Sequence, residues 1–183
     1  MADRFAAMEP KHIDFLERQR VFFTATAAAG TRVNVSPRPV ADLRVLGPDR
    51  VIYLDMTGSG AETAAHLRAD GRMTMMVCAF EGPPRILRLY GRGRSHLAGS
   101  ADYGRLLAAH FPGDGRVGKR QIVELAVDLV QTSCGYGVPL FDYQGERANL
   151  ERWAEARGEA GIRDHWAEKN RVSLDGLPTG IGE

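Results

Sequence analysis

Residues Gln121 to Gln131 alternate without a break. Ile122, Glu124, Ala126, Asp128 and Val130 fall on one side of an extended chain, and Val123, Leu125, Val127 and Leu129 on the other. A period of two marks a strand, because successive side chains point to opposite faces. The second set is predicted to face inward. Arg85 to Arg94 repeats the pattern, with Leu87 and Leu89 opposite Arg88, Tyr90, Arg92 and Arg94. Gly91 and Gly93 continue the leucine face without side chains, which predicts a close backbone approach or a bend that closes a barrel.

The remaining segments are shorter. Strands are predicted over Val21–Ala27 and Val33–Pro37, joined through Ala29-Gly30-Thr31, with Pro37 and Pro39 ending that pairing. Further strands are read over Leu43–Leu46, Val51–Asp55 and Arg72–Phe80. Helices are read over Pro10–Arg20, Ala61–Arg68 and Ser100–His110, and over 147–169 as two helices broken at Gly158 or Gly161. The tail from Asn170 is polar and reads as loose. Six or seven sequential strands interrupted by two helices predict a mainly β protein with helices (α+β), its sheet an antiparallel barrel, closed or partly closed. Residues 1–145 are expected to form the barrel domain, and 146–183 a C-terminal helical extension of it.

Composition narrows the function classes. A net charge of +1 speaks against a basic nucleic-acid binder. Cys78 and Cys134 match no zinc spacing, no metal site is expected, and Cys78 reads as a buried inert thiol. The chain start has no apolar core segment, and no run approaches the roughly 20 residues of a membrane helix. A cytoplasmic protein with reduced thiols is therefore expected.

Three clusters have anion-binding character. Thr57-Gly58-Ser59-Gly60 precedes a helix and offers free N–H groups, or Ser59 and Glu62 form a capping box that uses them internally. Arg38 ends the Asn34-Val35-Ser36-Pro37 strand, either as a phosphate fork or as a surface arginine. Arg88, Tyr90, Arg92 and Arg94 line a pocket or form a wetted sheet face. His12, His66, His96, His110 and His165 lack metal spacing. No Gly-x-Ser-x-Gly elbow, phosphate-loop or dinucleotide fingerprint is present.

The segments FFTATAAAGTRVNVSPR, VIYLDMTGSGAETAAHL, CAFEGPPRILRLYGRGR and SCGYGVPLF resemble the pyridoxamine 5′-phosphate oxidase-like family of flavin-binding split barrels, in particular a bacterial branch. The resemblance covers roughly residues 10 to 145. It implies a six-stranded antiparallel split β-barrel with flanking helices and a homodimer holding FMN between subunits. It also implies two-electron chemistry on a small-molecule substrate or electron donor, or flavin carriage without turnover; the cofactor, not a side chain, transfers hydride. By position it points to Val35, Ser36, Pro37, Arg38, Asp55, Met56, Thr57, Gly58, Ser59, Gly60, Thr63, His66, Glu81, Tyr90 and Arg92 as cofactor contacts, with Tyr136 from the facing subunit. No catalytic residue is assigned. Haem is the alternative occupant of the cleft, with His66, His96 or Cys78 as its ligand. Two departures set the chain apart from true pyridoxamine phosphate oxidases. Gly60, Ala61, Glu62 and Thr63 stand where those enzymes carry an Arg-Lys pair for the FMN phosphate. The chain also ends Gly-Leu-Pro-Thr-Gly-Ile-Gly-Glu instead of in their Arg-Leu-x-Pro signature. Vitamin B6 oxidation is therefore not expected.

Overall fold

A computed structural model describes residues 2–183. Its elements are β1 (Asp3–Phe5), α1 (Pro10–Glu17), β2 (Val21–Thr26), β3 (Asn34–Pro39), β4 (Leu43–Gly47), β5 (Arg50–Met56), α2 (Glu62–Ala69), β6 (Arg72–Cys78), β7 (Ile86–Leu97), α3 (Ala101–His110), β8 (Lys119–Ser133) and α4 (Asn149–Lys169). The strands form one antiparallel sheet in the order β3-β2-β6-β7-β8-β5-β4, with β1 on the far end of β8. The α+β split-barrel fold read from the sequence is the observed one. The sheet has eight strands instead of six, and one of the additional strands, β1, is a three-residue segment too short to show a period.

The strand patterns place the core. On β5, Val51 and Tyr53 enter the barrel interior with Phe22, Met75, Leu87 and Leu125. Ile52, Leu54 and Met56 face the other way, beneath Tyr103 and Leu106 of α3. Burial on both faces is why β5 reads as a continuous apolar run and not as an alternation. β8 alternates as read up to Val127; there the register with β7 shifts, Tyr90 facing Leu129 and Gly91 facing Val127. Asp128 is the extra residue of a bulge, which turns the strand beyond it over. Val130 is consequently in the core and Leu129 only half-buried, the reverse of the expected faces. Gly91 sits at this bulge, and a Cβ there would lie 1.9 Å from the Ala126 carbonyl oxygen. At Gly93 a Cβ would meet Leu67 of α2 at 2.6 Å, so the helix packs on bare strand backbone.

Two expectations need correction. Pairing of β3 with β2 runs on through Pro37 and Pro39, opposite Phe23 and Val21. β3 is the sheet edge, where a missing N–H on the outer side costs no ladder bond. The tail after Asn170 is also not loose. Ile181 is buried against Ala61 and Ala64 of α2, Asn170 and Thr179 are buried, and Val172 bridges Pro178. Its glycines and prolines build a tight turn instead of a free end. α4 does break at Gly158, whose φ of 64° and ψ of 176° lie outside the helical region.

Candidate functional site

The strand end at Asp55 gathers a buried charge cluster. Arg120 Nε donates to Asp55 Oδ2 at 2.8 Å and Gln121 Nε2 to the same oxygen at 2.6 Å. Arg38 pairs with Asp55 Oδ1, and its guanidinium lies 5.7 Å from the Tyr53 ring centroid. Burial pushes the Asp55 carboxyl up, but Arg120, Arg38 and Gln121 more than reverse this and hold it below its ordinary value. At the Tyr53 phenol burial outweighs the opposing charge of Arg38, and the phenol is pushed up to about 12.

Arg120 extends the cluster into the glycine loop. It donates to the Gly60 carbonyl at 2.7 Å and to Asn170 Oδ1 at 3.0 Å. The Gly58 carbonyl accepts from Asn170 Nδ2 at 3.3 Å and lies 3.3 Å from His165 Nε2. Trp166 Nε1 donates to Thr57 Oγ1 at 2.8 Å, and Thr57 Oγ1 donates to the Gly118 carbonyl at 2.7 Å. The loop is thus strapped down by α4 and the tail. The Ser59–Glu62 capping box is not formed: Ala61 is the N-cap of α2 and has no side-chain cap bond. The Glu62 carboxylate instead accepts from the Leu174 amide at 3.0 and 3.1 Å.

Beside this lies a neutral polar strip. Thr26 Oγ1 and His66 Nδ1 are 3.1 Å apart, Asn34 Nδ2 donates to Thr63 Oγ1 at 3.2 Å, and Ser36 donates to Asn34 Oδ1 at 3.2 Å. His66 Nε2 is buried with no partner among the described residues. Val35 points outward from the edge strand, 61% exposed.

A cleft of about 1150 Å³ lies elsewhere, between the α1–β2 turn, the end of β3, the β6–β7 turn and residues 141–146. Of the residues singled out from the sequence, Pro37, Arg38 and Glu81 line it. Asp55, Thr57, Gly58, Gly60, Thr63 and His66 are gathered into the charged cluster and polar strip, whereas Met56 packs beneath α3 and Ser59 is exposed. Tyr90 and Arg92 lie apart on the outer sheet face, where Tyr90 donates to Gln131 at 3.1 Å and Arg92 to the Asp70 carbonyl at 2.8 Å. Tyr136 stands on the rim of a second, smaller cavity. The sequence reading missed Arg18, Arg20 and Arg85, which line the cleft and have no carboxylate partner among the described residues. Arg20 lies over Tyr143 at 4.9 Å and Arg85 over Phe15 at 5.5 Å. Phe80 and Phe141 stack at 5.3 Å, and the Phe141 amide donates to the Phe80 carbonyl at 3.0 Å. The Gly-Pro-Pro-Arg turn was the one visible signal, since its prolines stiffen the wall that carries Arg85.

Comparison with known proteins agrees with this architecture. The family profile described as pyridoxamine 5′-phosphate oxidase matches residues 8–134. A pyridoxamine 5′-phosphate oxidase family protein of Aspergillus flavus, ustO, is 37% identical over 90% of this chain and 72% of its own length. Among solved structures, HupZ of Group A Streptococcus superposes with a TM-score of 0.53 at 18% identity, over 67% of this chain and 92% of that one. A putative pyridoxamine 5′-phosphate oxidase from Lactobacillus delbrueckii gives 0.52 at 18% identity, over 69% and 94%. At such identities the two structures speak for the fold alone. The profile and the fungal relative go further, and by them the chain belongs to the pyridoxamine 5′-phosphate oxidase family.

Proposed function

We propose that the protein is an FMN-dependent oxidoreductase acting on a small molecule, with the flavin held in the 1150 Å³ cleft of a homodimer. The observation that carries this reading is the make-up of the cleft. Proline and aromatic side chains give it an apolar wall, and Arg18, Arg20 and Arg85 stand around it outside any ion pair among the described residues, although Glu17, Glu81, Asp142 and Glu146 also line it. A pocket with an apolar body and a few convergent polar groups suits a planar ring bearing a charged tail. Arg38 adds to the field, because Arg38 and Arg120 share the single negative charge of Asp55. The glycine loop suits the phosphate less well: the Thr57 amide already donates to the Gly118 carbonyl, and the Glu62 carboxylate stands at the helix start, where it opposes an anion. FMN when bound supplies the two-electron chemistry; the chain's own part is to bind and orient it and to exclude water around it.

The edge of the sheet supports a dimer. Val33, just before β3, and Val35 on it are 69% and 61% exposed, and Val172 and Leu174 of the tail are 57% and 75% exposed. The Arg32 amide donates to Asp175 at 2.8 Å, which holds the two segments side by side. An apolar edge strand of this kind calls for a cover, and a second copy of the chain supplies one.

A second reading, flavin carriage without turnover, is favoured by the engagement of Asp55 and of His66 Nδ1 in internal contacts, which leaves neither poised to move a proton at the cleft. Haem draws less support, since His66, His96 and Cys78 do not line the cleft.

The test is a titration with FMN followed by visible absorbance, on wild type and on Arg20→Gln. Saturable binding that weakens about tenfold in the variant is expected, as for loss of one charge-assisted hydrogen bond. An unchanged flavin spectrum removes the proposal. Reduction of the bound flavin by NADPH, with turnover of an acceptor, separates the oxidoreductase from the carrier.

A further inference from the structure

Pro84 and Arg85 form a ridge. On one side is the large cleft, and on the other a cavity of about 330 Å³. The small cavity is built from Asp3 and Phe5 of β1, Lys11 and His12 of α1, and the chain from Thr132 to Cys134 with Tyr136. Gly135 seats that last segment against the ridge: its φ is 70°, and a Cβ there would lie 2.6 Å from the Arg85 nitrogen. The segment is placed by backbone contact, so the cavity wall is part of the fold.

His12 is the informative residue. It is 1% exposed, and its Nδ1 accepts the Glu9 amide at 3.0 Å. A ring nitrogen that accepts carries no proton, so the proton of the neutral ring is on Nε2. The ring is kept neutral: burial lowers its pKa, and the Lys11 and Arg85 charges push the same way while Glu9 opposes them. Nε2 is therefore a buried N–H donor, and it has no partner among the described residues. Buried donors are almost always satisfied, and His12 is among the residues that line this cavity. Ser133 is similarly prepared, because its oxygen accepts from Arg88 at 3.3 Å and its own hydrogen is free to donate. Among the charged groups, Lys11 is already paired with Glu9 at 2.6 Å. Among the described residues of the wall, that leaves Arg85 as the free cation, with Asp3 the acid.

We propose that this cavity is a binding site for a small organic carboxylate, with Arg85 as its cation, the His12 and Ser133 donors on its oxygens, and Phe5 and Tyr136 against its apolar part. A single guanidinium outside any ion pair, with Asp3 also on the wall, matches a monoanion better than a phosphate dianion. Arg85 is shared with the large cleft, so the site is tested in the absence of flavin.

Calorimetric titration of the full chain with benzoate tests this, with inorganic phosphate as the comparison ligand and the His12 Nε2–H proton and nitrogen shifts followed by NMR. Saturable benzoate binding that moves the His12 signal is expected. Arg85→Gln should weaken it about tenfold or more and Ser133→Ala about threefold, in line with charged and neutral hydrogen bonds. Arg20→Gln, which lines only the large cleft, should leave it unchanged. His12→Phe also removes the acceptor of the Glu9 amide, so the Arg85 and Ser133 variants decide. Absence of saturable binding up to about 10 mM, the weak limit of a specific small-molecule site, overturns the proposal. So does phosphate binding more tightly than benzoate, or benzoate binding lost in Arg20→Gln and kept in Ser133→Ala. Because FMN is left out, a negative FMN titration does not affect the result.

Discussion

The two arginine-bearing regions of this molecule differ in what their charges are used for. Around Asp55 the chain answers its own charges: two guanidinium groups, a glutamine, the glycine-loop carbonyls and the tail close on one another. Around the Pro84–Arg85 ridge the guanidinium groups lie over aromatic rings and meet no carboxylate among the described residues. The same residue type is structural in one place and available in the other. Charge left unanswered beside an apolar wall, not charge itself, marks the place for an anionic ligand.

The sharpest way to break this comparison is to remove the anion that closes the first region. Asp55→Asn leaves Arg38 and Arg120 near one another without a countercharge. Breaking a buried pair in this way costs about 3–5 kcal/mol, to be read as a lower urea midpoint. The same group predicts an acid limb. The Asp55 pKa is lowered on folding, so its contribution is present above the unfolded carboxylate value of about 3.9 and is lost as pH falls through the lower folded value. Wild type should lose stability relative to the Asn variant across that acid window. Parallel pH profiles would show that Asp55 is not held as a buried carboxylate.

Next in size is the clamp that keeps the first region closed. Ile181 is buried against Ala61 and Ala64. Truncation to alanine removes apolar burial and leaves a void, worth about 2–4 kcal/mol. If the tail is a fixed part of the fold, Ile181→Ala lowers the single cooperative transition. If the tail melts separately, a second transition appears at lower denaturant.

Most of the architecture was legible, and the reason is local. The period-two runs of β7 and β8 and the helix-breaking Gly158 declare themselves within a few residues. What was not legible depends on partners far away in sequence. Arg38 and Arg88 look alike on a strand, yet Arg38 meets a buried carboxylate and Arg88 a serine hydroxyl. Glu62 three residues after Ser59 has the spacing of a cap, yet it bonds the amide of Leu174. The bulge at Asp128 leaves no mark in the alternation, because every residue of the pattern is present and only the pairing shifts. Arg18 and Arg20 carried no signal, since they end a helix and begin a turn, where exposed arginines are common.

The open region is sharpened by a charge change with the opposite profile. Arg18→Gln removes a cation with no carboxylate partner among the described residues, and an exposed substitution of this kind shifts stability by no more than about 0.5 kcal/mol. FMN affinity should nevertheless fall severalfold, and less so as salt is raised, because the lost contribution is electrostatic. Equal losses of stability and affinity would mean that Arg18 is structural, like Arg120.

The smallest effect tests the boundary between the regions. Glu62 stands at the helix start that the family resemblance assigns to the phosphate, and its carboxylate is engaged by the Leu174 amide at 3.0 Å. Glu62→Gln keeps an acceptor and loses a charge, so the cost is expected at about 0.5–1 kcal/mol. It should be seen as faster hydrogen exchange of the Leu174 amide, with little change in the global transition. The variant also removes the negative charge at that helix end. If the flavin phosphate does sit there, Glu62→Gln tightens FMN binding and Arg20→Gln leaves it alone. If it sits in the cleft, the two variants behave the other way round. One pair of titrations therefore decides which of the two arginine regions holds the anion.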